Sequence, residues 1–91
     1  DEVAGNKMNS EVLKIFPNPV INNFKVEVSS EVNGRYVISI FNTEGKLVKS
    51  QQSILTYGVS DFIDISTFSK GRYFVVINSD KVTYKGNLLK M

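Results

Sequence analysis

The chain has 91 residues, 42% of them hydrophobic, with neither cysteine nor histidine and a net charge of +2. That length holds one two-layer core without a roomy catalytic cleft beside it, and the two missing residue types remove disulfides, thiolate nucleophiles, the usual neutral-pH base and the commonest metal ligand. Residues 1–45 carry four bases and six acids (4 − 6 = −2) and residues 46–91 seven and three (7 − 3 = +4), with no two bases adjacent, which excludes the dense Lys/Arg face of a nucleic-acid binder.

Residues 1–11, from Asp1 to Glu11, mix Gly5, Asn6, Asn9 and Ser10 with charges and show no periodicity. We read them as a flexible tether, with the folded domain spanning 12–91. Asp1-Glu2-Val3 offers neither an initiator methionine nor a signal peptide, so the expectation is a longer parent polypeptide. No apolar run approaches the roughly 18 residues that a membrane helix needs.

From Val12 the pattern becomes short apolar alternations of period two, separated by turn residues. Val12 to Phe16 is a first strand, stopped by Pro17-Asn18-Pro19, where two residues without an N–H make a rigid bend. Phe24, Val26 and Val28 alternate with Lys25, Glu27 and Ser29 in a half-buried strand, and Val32-Asn33-Gly34 turn the chain. Tyr36, Ile38 and Ile40 face one way and Val37, Ser39 and Phe41 the other, which predicts a central strand covered on both faces. Asn42-Thr43-Glu44-Gly45 closes a hairpin, with Gly45 free to take a positive φ. The returning strand starts at Leu47-Val48 and turns polar through Ser50-Gln51-Gln52, as an edge strand would. Phe62, Ile63 and Ile65 interleave with Asp61 and Asp64, and Thr67 to Lys70 form a loop ended by Gly71. Tyr73 to Ile77 is the most β-prone stretch. Ser79-Asp80 turn it into a last strand, Val82 to Leu89. Seven short strands at roughly ten-residue spacing predict an all-β fold, an antiparallel, immunoglobulin-like β-sandwich, with a small closed barrel as the other architecture.

The residues offer no catalyst. On a strand, Asp61 and Asp64 point to opposite faces, which defeats a shared metal or an acid/base pair, and a calcium site with Asp80 would need a loop convergence that the sequence does not specify. Ten serines lack a histidine to activate them. The six glycines are scattered singly, so none forms a phosphate-cradling loop. No cofactor is implied. Phe24, Tyr36, Phe41, Phe62, Tyr73, Phe74 and Tyr84 lie in strand alternations and read as core. Tyr57, beside Gly58 in a loop, is the one aromatic expected to be exposed, and it is the handle of an alternative function, a carbohydrate-binding or fibronectin-like accessory module.

Four segments together resemble a family. Leu13-Lys14-Ile15-Phe16-Pro17-Asn18-Pro19 is similar to the opening signature of type IX secretion sorting domains. Val37 to Val48, closed by Asn42-Thr43-Glu44-Gly45, is similar to their central hairpin. Phe62 to Val75 resembles their Asp-Leu-Ser and Gly-x-Tyr segment, with Gly71 and Tyr73 in the second motif. Lys85-Gly86-Asn87-Leu88-Leu89-Lys90 fits their tail. Arg72 stands in a slot that is usually aliphatic, and Asn87 softens the tail.

The resemblance implies a C-terminal address on a larger exported protein. An outer-membrane secretion translocon recognises the folded domain. A sortase-like protease then removes it, cutting within Asp1 to Glu11, and the upstream cargo is released or joined to surface lipopolysaccharide. The implied route is the periplasm of a Gram-negative bacterium, then the cell surface or the medium. Pro17 and Pro19 stiffen the entrance, Gly45, Gly71 and Tyr73 serve the scaffold, and Lys85 and Lys90 bracket Leu88-Leu89 where a receptor could pair charges and extend a strand. Deletion from Leu88 onward is expected to block export yet leave the domain mostly folded. An uncovered edge strand allows a weak homodimer.

Overall fold

Eight strand segments follow one another in the computed structural model, which describes residues 11–29, 32–79 and 82–91. They are β1 (Glu11–Val12), β2 (Lys14–Phe16), β3 (Asn23–Glu27), β4 (Gly34–Phe41), β5 (Leu47–Leu55), β6 (Ile63–Asp64), β7 (Gly71–Asn78) and β8 (Thr83–Lys90), with no helix among the described residues. The tether expected over residues 1–11 lies outside them except for Glu11, as does Asp80 of the expected last turn.

The strands form two sheets, one in the order β1-β8-β7-β4-β5 and one in the order β2-β3-β6. The predicted first strand is two segments. Glu11 and Val12 pair in parallel with Tyr84 and Lys85 of the large sheet, whereas Lys14 to Phe16 pair antiparallel with Glu27 to Lys25 of the small one. Leu13 makes the crossing, its N–H donating to the Lys85 carbonyl at 3.2 Å while its side chain turns into the core. A strand that changes sheets at a bend lets one stretch of chain close an edge of both layers. With β1 and β2 counted as that one strand, the fold is the expected seven-stranded antiparallel sandwich.

Period-two alternation explains the core. Ile38 and Ile40 of β4, Tyr73, Val75 and Ile77 of β7, and Tyr84 and Leu88 of β8 face Ile15, Phe24, Val26, Ile63 and Ile65 of the small-sheet side, and all are buried. The two most apolar strands, β4 and β7, sit in the middle of the large sheet, and the Gln-containing β5 is its edge, as expected. One expectation fails: β4 is central between its neighbours, but only one of its faces is covered. Three strands shield a single side of a five-stranded sheet, so Val37 is exposed and Phe41 only half-buried. The same geometry corrects two assignments to the core. Phe74 lies on the open face, 45% exposed, and Phe62 lies just ahead of β6, 60% exposed, with the Lys25 ammonium 4.7 Å from its ring centre.

Between the sheets, residues 55–60 carry the chain from β5 to the flank of β3. Gly58 (φ +80) accepts a hydrogen bond from Val28 N–H and donates one to the Val32 carbonyl, and a Cβ at Gly58 would run into the carbonyl oxygens of Val28 and Ser29. Ser60, buried, then continues the pairing. Its N–H donates to the Val26 carbonyl at 3.0 Å, while its Oγ accepts from Val26 N–H at 3.0 Å and donates to the Asp61 carbonyl at 2.8 Å.

Candidate functional site

Main-chain groups on the outer edge of β8 find partners in segments from the start of the chain. Asn18, held between two prolines, each following a cis peptide bond, turns its carboxamide onto the strand. Its Nδ2 donates to the Asn87 carbonyl and its Oδ1 accepts from Leu89 N–H, both at 3.1 Å. Val20 N–H then donates to the Leu89 carbonyl at 2.7 Å, and Met91 N–H to the Val20 carbonyl at 2.8 Å. Prolines have no N–H to offer, so across Pro17-Asn18-Pro19 the amide side chain supplies the pairing that the backbone cannot.

On the other edge of β8, Gly71 pairs with Lys90, Arg72 with Leu89 and Tyr73 with Leu88. Gly71 adopts φ +142, a left-handed value that favours glycine, at the corner where the chain enters β7. Two residues on, Tyr73 is buried, its hydroxyl donating to the Ser69 carbonyl at 2.7 Å and its ring 5.1 Å from that of Phe68. The Asn42 hairpin reaches the same end of the sheet, because Phe41 pairs with Phe74. Its tip is held by Asn42, whose Oδ1 accepts from Glu44 N–H and Lys46 N–H, both at 2.9 Å, and Gly45 sits at φ +83. The structure therefore brings Pro17-Asn18-Pro19, Asn42 and Gly45, Gly71 and Tyr73, and Leu88 to Lys90 to one end of the sandwich.

The four tail residues do not share a face. Lys85 and Leu89 point outward, but Leu88 is 2% and Lys90 7% exposed, and the Lys90 ammonium donates to the Met91 main-chain oxygen at 3.0 Å. Two parts of the expected receptor contact change accordingly. Lys90 is turned into the fold, and strand extension along β8 meets an edge already taken by β1, Leu13, Asn18 and Val20. What is left open is a groove of about 310 Å³, with Asn18 and Asn87 at one side, Arg72 and Phe74 at the other and Leu89 between. It is apolar, carries one cation, and suits a hydrophobic or acidic segment more than a sugar or an ion.

Elsewhere, the Asp64 carboxylate is structural. Asp64 is exposed, and its carboxyl is held below the usual range first by the Ser66 N–H, 3.0 Å away, then by the Ser66 side chain and by Lys49. Lys49 donates to the Asp64 main-chain carbonyl at 3.1 Å and so ties the edge of the large sheet to the small one. Among the described residues no three carboxylates gather as a metal site would need. Tyr57 is exposed as expected, at 71%; it shares the β5–β6 connection with Phe62, whereas Phe74 stands on the open face of β7. Sequence reasoning missed Ser60. Its one legible signal is a serine opening a polar-apolar alternation, too common to single out.

Residues 14–90 match the family model described as the secretion system C-terminal sorting domain. Among solved structures the chain is similar to dimeric latent PorU from Porphyromonas gingivalis, with a TM-score of 0.54 and 19% identity over 87% of this chain and 9% of that one. The likeness is one of fold, and the chain spans a small part of that protein. The comparison with curated proteins gave no match.

Proposed function

The chain belongs to the secretion system C-terminal sorting domains, the signals that direct type IX export, and from that premise we propose that the secretion machinery reads the end of the sandwich where the four motif segments meet. The convergence itself carries the reading. Asn18 and Val20, about 70 residues away in sequence, and the start of β7 spend their hydrogen bonds on fixing one short strand, so the address is a shaped surface of a folded domain. Asn42, Gly45, Gly71 and Tyr73 build the corners, Asn18 fixes the strand, and Leu89, Arg72 and Phe74 present the face. Lys85 stands on the same outer side of β8 and adds a second cation.

In this reading the cargo precedes the domain, residues 1–11 are the link that a sortase-like protease cuts, and the cargo goes on to the cell surface or the medium by way of the periplasm. The chain itself does no chemistry and takes no cofactor. A periplasmic reporter placed upstream of residues 1–91 in a host with type IX secretion tests this. The reporter is expected outside the cell, ending within residues 1–11 by intact mass. Retention in the periplasm would overturn the reading, and a cut inside residues 12–91 would overturn the assignment of the link.

A further inference from the structure

β5 is the long uncovered edge of the large sheet, and its pairing shows which groups it offers. The Asn42 N–H donates to the Lys46 carbonyl at 2.9 Å, so even-numbered residues of β4 bond toward β5, and their partners Lys49, Gln51, Ser53 and Leu55 bond back. The main-chain groups of Ser50, Gln52 and Ile54 therefore point away from the sheet. No described residue bonds to them, in contrast to the outer edge of β8. Natural edges are blunted by proline, by outward charge or by bulges. β5 has no proline, its only irregularity lies near its start opposite Ile40 and Phe41, and its one charge, Lys49, is drawn toward Asp64. Alongside this edge runs a groove of about 500 Å³ whose far wall is Asp61 and Phe62.

We propose that β5 pairs with β5 of a second copy of this chain, antiparallel about a two-fold axis through Gln51, to form one continuous sheet. The sequence of the strand is self-complementary in that register. Ser50 of each copy meets Gln52 of the other, and these two pairs, with two hydrogen bonds each, use the outward main-chain groups. Ile54 meets Val48, so two exposed apolar side chains cover each other. Lys49 meets Ser53, in a part of the groove that Asp61 also lines, so each lysine approaches an aspartate of the other copy. A slip of two residues in either direction keeps main-chain bonds but loses the match of Ile54 with Val48. An isologous contact of this kind closes at two copies, and being small it is weak.

Sedimentation equilibrium of purified residues 1–91 from about 10 μM to 1 mM tests the proposal, independently of any export assay. A monomer–dimer equilibrium with a Kd on the order of 100 μM is expected. Ser50→Pro should raise that Kd at least about tenfold with unchanged circular dichroism, because an edge proline whose N–H faces solvent costs the sheet little. Asp61→Lys should weaken association severalfold, and less so in about 0.5 M salt. If Ser50→Pro disturbs the fold, Ile54→Asp makes the same test by placing a charge against Val48. A monomer throughout, or a dimer unaffected by these variants through an extended contact elsewhere, would overturn the proposal.

Discussion

The carboxamide of Asn18 holds the main chain of Leu89 from 71 positions away, accepting its N–H at 3.1 Å while donating to the Asn87 carbonyl beside it. One side chain thus completes the edge of the last strand where the two flanking prolines cannot. Replacing Asn18 with alanine removes both bonds and leaves water to satisfy groups that are partly exposed. A loss of about 1–2 kcal/mol is expected. Amide exchange at Leu89 should accelerate selectively, while amides in the β4–β7 ladder slow or quicken only with global stability.

Two glycines that look alike in sequence should respond differently. Gly45 and Gly58 both have positive φ, but a Cβ at Gly45 meets nothing within 4 Å, whereas at Gly58 it collides with the carbonyl oxygens of Val28 and Ser29. Gly45→Ala is expected to cost about 1–2 kcal/mol from backbone conformation alone. Gly58→Ala should cost about 3 kcal/mol or more, because main-chain atoms must move. Denaturant titration of the pair separates the two effects.

Ser60 gives a third test. Its buried hydroxyl both accepts from Val26 N–H and donates to the Asp61 carbonyl. Ser60→Ala leaves a strand N–H unpaired inside the protein, and a loss of about 1–3 kcal/mol follows. Ser60→Thr should recover part of it if the added methyl finds room, which a thermal melt of the two variants will report.

The general shape was legible because period-two alternation is a local signal. Tyr73, Val75 and Ile77 announce a buried face without reference to anything else, and Ser50-Gln51-Gln52 marks an edge. What local signals lack is the neighbour across the sheet. Phe74 reads as core within its own strand, yet its partner Phe41 lies on the face that the small sheet leaves open. Leu13 lies inside the short apolar stretch from Val12 to Phe16, which has no turn residue, so nothing in the sequence marks it as the point where the chain changes sheets. The motif residues of the site were visible as a set, through their resemblance to a family. Their contacts were not, since each bond from Asn18 spans about 70 positions.

That distinction changes one expectation. Removal of the tail from Leu88 onward was expected to spare the fold, but Leu88 is 2% exposed and pairs with Tyr73, and Leu89 holds Asn18 and Val20. Loss of the buried leucine alone costs about 2–5 kcal/mol, a large share of the stability of a small domain. The truncated chain should therefore be substantially unfolded by circular dichroism, and its failure to be exported would say nothing about recognition. A point change on the outward face avoids this confusion.

The surface itself is tested most directly by exporting a reporter fused to residues 1–91 that carries Arg72→Glu together with Leu89→Asp. Both side chains point outward from paired positions, so the domain should keep its β-sheet spectrum and melt within about 5 °C of the parent. Retention of this folded variant in the periplasm, while the parent fusion reaches the medium, is the expected result. Export of the variant at the parent's level would contradict recognition at this end of the sandwich.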